Sequence, residues 1–202
     1  MARPSNTDER RAQITSALIR VMARRGYDGA STALIAEEAG LAPGLVHYHY
    51  ETKQRILIEA VERLMLGIRE RYDRRLREAG DDREAQLRAF IDAHLALGPD
   101  ADESAVAAWV VIGSEAVRQD AVRKLYQRSI SERTEVLERL MRAVLRERGK
   151  STKGIKQKAA AVLSAIEGCY QISCAAPATM PRGSAAPTVR AMVEGLLHAQ
   201  ST

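Results

Sequence analysis

The sequence predicts an all-α protein with about nine helices, in which a small head of three short helices precedes a larger C-terminal helical bundle. Apolar residues recur with a period of about 3.6 residues along most of the chain, and no convincing strand alternation is found. The 202 residues are 46% hydrophobic but only 4% aromatic. A core made mainly of Ala, Leu, Ile and Val is therefore expected, and this composition favours helices over sheets.

Three short helices are predicted for the head, at residues 8–24, 31–40 and 44–50. The segment 26–29 contains two glycines and ends the first of them. Ser31 or Thr32 can cap the second helix, and Gly40 is a natural residue at its C-terminal end. Pro43 suits the first position of the third helix, because its missing N–H would have no partner there.

The helices of the bundle are longer. They are predicted from Thr52 to near Gly80, at 81–97, around 106–113, at 120–148, at 155–175 and around 189–197. The longest connection is 176–187, which contains three prolines. The short-then-long order predicts a boundary between a head at residues 1–55 and a body at residues 56–202, joined through the fourth helix.

Charge and composition restrict the classes of partner. The formal net charge is +5 and the isoelectric point is near 9.4, which is compatible with a polyanion such as nucleic acid. No apolar run approaches the roughly 20 residues that span a bilayer, and residues 1–11 lack the apolar segment of a signal peptide. Cys169 and Cys174 lie five residues apart, so on one helix they point about 140° away from each other. We therefore expect a cytoplasmic protein whose cysteines are small core residues, with no cofactor and no membrane partner.

A helix-turn-helix is predicted by the spacing of three residues. Ala36 is small enough for two helices to cross closely, and Gly40, four residues later, can adopt the left-handed conformation of a sharp turn. Val46, six residues further on, is a compact apolar residue that can pack against that turn. The small core is completed by Ile35, Ala39 and Leu41. The alternative is an ordinary helical hairpin of the bundle.

The same segment resembles the TetR family of transcriptional regulators. The residues that carry the resemblance are the Ala36, Gly40 and Val46 frame, the aromatic end at 47–50, and Lys53. The motif covers about residues 10–65, and the order of helix caps and breaks beyond it fits a nine-helix TetR-like layout. The resemblance implies a homodimeric regulator, not an enzyme, that binds a palindromic operator in double-stranded DNA.

By this resemblance the third helix is the recognition helix and enters the major groove. The residues expected to face DNA are Pro43, Gly44, Leu45, His47, Tyr48 and His49. Thr32 and Lys53 are expected to contact phosphates, and Ala33 lies where many relatives place a polar or basic residue that contacts bases. The third helix carries no Arg or Asn for a bidentate base contact. Specificity is therefore expected from DNA shape, thymine methyl groups and a flexible arm carrying Arg3, Arg10 and Arg11.

Several of these side chains also have structural interpretations. Val46 and Tyr50 are expected to pack inside the head. For Thr32 the alternative role is that of a helix cap, and for Lys53 it is that of a solvated surface lysine. His47 and His49 diverge by about 200° on a helix, so a shared metal ion is not expected.

The last two helices are expected to form the dimer interface, because in TetR-like proteins this pair makes a four-helix bundle with its symmetry mate. Small residues would allow close approach at Ala159, Ala165, Gly168, Ala191 and Gly195. Apolar area would come from Val162, Leu163, Ile166, Val193, Leu196 and Leu197. The alternative is that these helices pack only within one chain.

An effector pocket is implied among the helices of the body. Its candidate residues are Tyr72, His94, Trp109, Glu115, Tyr126, Cys169 and Tyr170. The segment 30–36 also resembles the choline-responsive branch of the family. A quaternary ammonium prefers an aromatic cage, and Trp109, Tyr126 and Tyr170 would supply part of one, with Glu115 as counter-charge.

The expected function is therefore that of a repressor released from DNA by a small-molecule effector of unknown identity. The effector would favour a position of the fourth helix that changes the separation of the two recognition helices. An activator is an open alternative, as are an architectural DNA-binding protein without sequence specificity and a helical enzyme. Against an enzyme, the sequence shows no phosphate-binding glycine loop, no paired metal motif and no nucleophile elbow.

Overall fold

The computed structural model describes residues 6–198, which form nine α-helices, one short 3-10 helix and no strand. The helices are α1 Asn6–Arg25, α2 Thr32–Ala39, α3 Pro43–His49, α4 Lys53–Ala79, α5 Arg83–Leu95, α6 Glu103–Arg118, α7 Asp120–Glu147, α8 Ile155–Ala175 and α9 Ala185–His198. The predicted all-α class is thus confirmed. Among these residues, no helix combines the length and the apolar character that crossing a membrane requires.

The helices belong to two compact units. The first contains α1 to α3, the start of α4 as far as Leu66, α6 and the start of α7 as far as Gln127. The second contains the rest of α4, α5, the rest of α7, α8 and α9. The chain therefore passes between the units three times, within α4, between α5 and α6, and within α7. The boundary between these units does not fall between residues 55 and 56. The division into a head at 1–55 and a body at 56–202 therefore stays a prediction.

The core of the first unit is built from one face of α1. Ile14, Leu18 and Met22 follow each other at four-residue spacing and are completely buried. On α2 and α3 the buried side chains are those of Ile35, Ala36 and Val46, each with no exposed surface. Burying aliphatic side chains of this size contributes about 1.5–3 kcal/mol each, so these contacts stabilise the head.

The two ends of α2 are formed as its sequence predicts. The Ser31 hydroxyl oxygen accepts a hydrogen bond from the Leu34 N–H at 3.2 Å, so Ser31 rather than Thr32 is the N-cap. Gly40 adopts a φ of 65°, and the Leu41 N–H reaches back to the Ala36 carbonyl oxygen at 2.9 Å. This pair of features is a Schellman turn, which ends α2 and starts the sharp bend to α3.

Gly29 lies in the connection between α1 and α2, where there is no room for a side chain. A Cβ atom at this position would lie 2.4 Å from the Arg25 carbonyl oxygen. We expect Gly29→Ala to lower the free energy of unfolding by about 2 kcal/mol, because the backbone must shift to relieve the overlap. Urea denaturation followed by circular dichroism measures this change.

Gly67 provides the matched control for that substitution. It is an exposed residue inside α4, and nothing lies within 4 Å of a Cβ atom built on it. Gly67→Ala should leave the stability unchanged or raise it by up to about 1 kcal/mol, because alanine is the better helix former. Equal effects of the two substitutions would contradict the steric explanation for Gly29.

The second unit is stabilised by ion pairs between its helices as well as by apolar packing. Arg148 at the end of α7 bonds to Glu84 of α5 at 2.8 Å and to Glu194 of α9 at 2.7 Å. The α9 helix begins at Ala185, so Pro187, expected in the preceding loop, lies in its first turn. Proline is tolerated there because the first N–H groups of a helix have no partner within it.

The prediction that both cysteines are core residues is wrong. Cys169 is half-buried and Cys174 is exposed, and both thiols are free. Periodicity did not identify their environment because the buried face of α8 is carried by Val162, Leu163 and Ile166 instead.

Candidate functional site

The third helix presents one face outward and one face inward. Val46 is completely buried and Tyr50 is 4% exposed, as the structural interpretation of these two residues predicts. Tyr48 is 80% exposed, and the other outward residues of this short surface are Pro43, Gly44, Leu45 and His47. His49 is half-buried, and its ring meets the edge of the Tyr48 ring at 5.1 Å. The structure thus brings the predicted recognition residues together on one surface, which we call the α3 face.

The start of α2 lies beside the bend and offers polar groups of its own. Because Ser31 supplies the N-cap, the hydroxyl of the half-buried Thr32 is not needed for capping. Ala33 is exposed but offers only a methyl group. The unpaired N–H groups and partial positive charge of a helix N-terminus favour an anion, so the position of Thr32 suits a phosphate contact.

Lys53 is held by a residue that the sequence did not identify. Its Nζ donates a hydrogen bond to the Tyr27 carbonyl oxygen at 2.9 Å and lies 4.2 Å from the centre of the Tyr27 ring. The Tyr27 side chain is itself buried. An ammonium group has three donors, so Lys53 retains donors for a phosphate while Tyr27 fixes its position. In the sequence, the one indication of this role was that Tyr27 is an aromatic residue between the two glycines of the segment 26–29.

A partly buried network connects the end of α3 to α1 and α4. The Tyr50 hydroxyl lies 3.1 Å from the Thr15 hydroxyl, and the Arg11 guanidinium lies 4.5 Å from the centre of the Tyr50 ring. Arg11 also pairs with Glu59 at 2.6 Å. Burial raises the pKa of Tyr50 to about 12, so its hydroxyl stays protonated and can keep its hydrogen bonds.

The predicted flexible arm is wrong for two of its three residues. Arg10 and Arg11 both lie inside α1, where Arg10 bonds to Gln13 at 2.8 Å and Arg11 belongs to the network around Tyr50. Arg3 lies outside the described residues. Both residues also fall within the helix predicted at residues 8–24, and the structure confirms that helix.

A second ion-pair cluster fastens α2 to α1. Glu38 of α2 pairs with Arg20 at 2.6 Å and also with Arg24. The hydrogen bonds from Arg20 and then from Arg24 hold the pKa of Glu38 below its usual range. Together with the network around Tyr50, this cluster holds the two helices on either side of the bend against α1.

Three of the seven predicted effector residues lie in the first unit. The rings of Trp109 and Tyr126 stack on each other at 5.0 Å with an angle of 23° between their planes. Glu115 is buried, and its two carboxylate oxygens accept hydrogen bonds from Arg118 and Gln119, both at 2.6 Å. The charge of this carboxylate is therefore already balanced, which argues against Glu115 as the counter-charge of a cation cage.

The other four lie in the second unit, where Tyr72 and His94 each contact the ring of Phe90. The Tyr72 and Phe90 rings meet edge-on at 5.5 Å, and Phe90 contacts the His94 ring at 4.5 Å. Burial raises the pKa of the Tyr170 hydroxyl and of the half-buried Cys169 thiol, so both stay neutral. The predicted residues thus form two groups, one in each compact unit, and sequence reasoning missed Phe90.

The predicted dimer surface needs a correction. Of the six apolar residues named for it, Val162, Leu163, Ile166, Val193 and Leu197 are buried within the chain itself, and Leu196 is half-buried. They pack α8 and α9 into their own unit. Two of the small residues named for close approach, Ala191 and Gly195, are exposed on α9 together with Met192, and Ala161 and Ile172 are exposed on α8. Periodicity identified the apolar side of each helix but not which chain it packs against.

Comparison with known families places both parts of the chain. Residues 14–60 match the family described as bacterial regulatory proteins of the tetR family. Residues 83–198, more than half of the chain, match the family described as the C-terminal part of BetI-type transcriptional repressors.

Individual relatives agree with this placement. The chain is 31% identical over 116 residues to the HTH-type transcriptional regulator BetI of Rhizobium meliloti, covering 57% of this chain and 56% of that protein. It is 33% identical over 85 residues to BetI of Stenotrophomonas maltophilia, covering 42% and 43%. The chain thus matches about half the length of these relatives.

Solved structures share the fold over nearly the whole chain. A transcriptional regulator from Rhodococcus superposes with a TM-score of 0.79 at 21% identity, covering 93% of this chain and 95% of that one. A regulator from Saccharomonospora viridis, solved in complex with choline, gives 0.74 at 22% identity, covering 94% and 96%. The TetR-like nine-helix layout expected from the sequence is confirmed for the described residues.

Proposed function

Because this chain belongs to the TetR family of transcriptional regulators and carries a C-terminal part of the BetI type, we propose that it is a DNA-binding repressor that acts as a homodimer. The family consists of regulators, so the alternative of a helical enzyme is rejected. The single observation that carries the DNA-binding proposal is the α3 face, whose central side chain, Tyr48, is 80% exposed.

The α3 face suits the major groove of DNA. Its outward residues are compact or planar, and they project from a helix that is held from behind by the buried Val46 and Tyr50. Tyr48 and His47 can donate hydrogen bonds to phosphates or contact thymine methyl groups. Thr32 and Lys53 would bind phosphates on either side, and Ala33 would lie near the same groove.

A second copy of the chain supplies the symmetry that specific binding requires. One short recognition helix buries too little surface for specific affinity, so such proteins read two half-sites about 34 Å apart. We assign the dimer contact to the outward surfaces of α8 and α9. On α8 the exposed Ala161 and Ile172 lie on the same face of the helix as the half-buried Gly168. On α9 the exposed Met192 and Gly195 likewise share one face of that helix.

The effector would act by shifting a population of dimers. Both α4 and α7 run from the first compact unit into the second, so each can transmit a change in one unit to the other. A small molecule that prefers dimers with the wrong spacing of recognition helices by about 5 kcal/mol would release DNA almost completely. In an activator, the effector would instead prefer dimers whose recognition helices have the spacing that binds DNA.

Selection of bound DNA from a random pool tests this proposal. We expect a palindrome whose half-sites lie about 10 base pairs apart, because a twofold dimer reads both strands in the same way. The affinity for this palindrome should exceed that for random DNA at least about 1,000-fold at physiological salt. A flat affinity across sequences that falls steeply with salt would instead support the architectural alternative.

A further inference from the structure

The second unit contains a buried nitrogen atom that lacks a partner. His94 is 4% exposed, and its Nε2 has no hydrogen-bond partner among the described residues. Burying a polar atom without a hydrogen bond costs about 1–3 kcal/mol, so the large majority of such atoms are bonded to protein or to water. The atom therefore needs a partner that the described residues do not supply.

The partner must be a hydrogen-bond donor. His94 Nδ1 lies 2.8 Å from the Phe90 carbonyl oxygen, which can only accept, so Nδ1 carries the ring proton. Burial, together with the positive charges of Arg133 and Arg71, lowers the pKa of His94 to about 3. The ring is therefore neutral at ordinary pH, and Nε2 presents a lone pair.

The surroundings of His94 restrict the charge of that donor. The two guanidiniums that act on the ring are themselves paired, Arg71 with Asp100 at 3.3 Å and Arg133 with Glu167 at 2.9 Å. Their electrostatic effect on the imidazole is nevertheless that of positive charge, which disfavours a cation beside Nε2. A carboxylate has no hydrogen to donate to the lone pair. A neutral hydroxyl or N–H group satisfies both conditions.

An apolar body would find matching neighbours there. The Phe90 ring packs at 4.5 Å on the His94 ring, and the Tyr72 ring meets Phe90 edge-on at 5.5 Å. Aromatic faces and edges of this kind favour contacts with a flat apolar group. Ligand sites are commonly lined in this way, by apolar side chains with a few polar groups that fix the orientation.

We propose that His94 is a ligand-binding residue whose Nε2 accepts a hydrogen bond from a neutral, hydroxyl-bearing molecule with a flat apolar body. This inference rests on the proposed function, since that molecule would be the effector of the regulator. It assigns the effector to the class of phenols and similar alcohols. A quaternary ammonium ion would be a poor ligand at this site.

Phenol and anisole form a matched pair of probes, because anisole carries a methyl ether in place of the hydroxyl donor. We expect phenol to bind the full-length protein at least about tenfold more tightly than anisole, as titration calorimetry would measure. In protein labelled with ¹⁵N-histidine, phenol should shift the Nε2 resonance of His94. Choline should not shift it.

The variant His94→Phe removes the acceptor and retains a flat ring. If it folds, as circular dichroism would show, it should bind phenol and anisole equally. Four outcomes would each overturn the proposal. In calorimetry these are equal binding of phenol and anisole by the unaltered protein, or no binding of either. The others are a single water as the only partner of Nε2, and a shift of the Nε2 resonance when choline is added. All four outcomes are measured on the unaltered protein, so they do not depend on whether the variant folds.

Failure of this inference can be separated from failure of the proposed function. DNA selection without any ligand tests the regulator alone. A selected palindrome together with equal binding of phenol and anisole would refute only the ligand class. Binding of phenol to His94 without any selected palindrome would refute the regulator but leave the ligand site standing.

Discussion

Tyr48→Ala lowers the affinity for the selected operator at least about 30-fold while the chain stays folded and dimeric. Tyr48 is 80% exposed, so removing its ring costs little packing within the protein. A single hydrogen bond from Tyr48 contributes about 1 kcal/mol, and the dimer would lose two of them. The sum of about 2 kcal/mol corresponds to the expected loss.

Fluorescence anisotropy with the labelled palindrome measures this affinity, and sedimentation gives the state of assembly. Val117→Ala is the matched control, because Val117 is a similarly exposed apolar side chain, at 74%, but lies on α6 outside the helix-turn-helix. It should bind DNA normally. Unchanged operator affinity in Tyr48→Ala would remove the α3 face from the DNA-binding site, and loss of the dimer would give Tyr48 a structural role.

Val46→Asp should unfold the first unit, with a loss of at least about 3 kcal/mol in the free energy of unfolding. Val46 has no exposed surface, so the substitution buries a carboxylate among apolar side chains. Such a group must be desolvated without a partner or must take up a proton, and both are costly. Amide spectra recorded by NMR would report this unfolding directly.

Leu45→Asp is the control at the neighbouring position. Leu45 is 37% exposed on the α3 face, so its replacement should leave the fold intact. It should still weaken DNA binding, because it places a negative charge beside phosphates. A stable Val46→Asp variant would contradict the assignment of Val46 to the core of the head.

Local chemistry made the helix boundaries predictable. Ser31 and Gly40 delimit α2 through contacts within a few residues, and Pro43 marks the start of α3 in the same way. The α8 helix runs from Ile155 to Ala175, at the predicted bounds. Signals of this kind depend on backbone conformation and on side chains close in sequence, so they can be recognised without the fold.

Partners distant in sequence were not predictable in this way. The bond from Lys53 to the Tyr27 carbonyl and the pairing of Glu38 with Arg20 depend on how helices pack. The same limit explains the dimer surface, where Val162 and Val193 proved to pack their own unit. Hydrophobic periodicity reports that a face is covered, but not by what.

The grouping of α6 with the head restricts how this protein can be divided or recombined. In the first unit α1 packs against α6, whose Ala108, Trp109 and Ile112 are buried. A fragment cut after Leu66 would leave the α1 surface that contacts α6 open to water, and so would a chimaera that grafts only this fragment onto another regulator. Autonomous DNA-binding modules made from this chain therefore need residues 102–127 as well, supplied through a new linker.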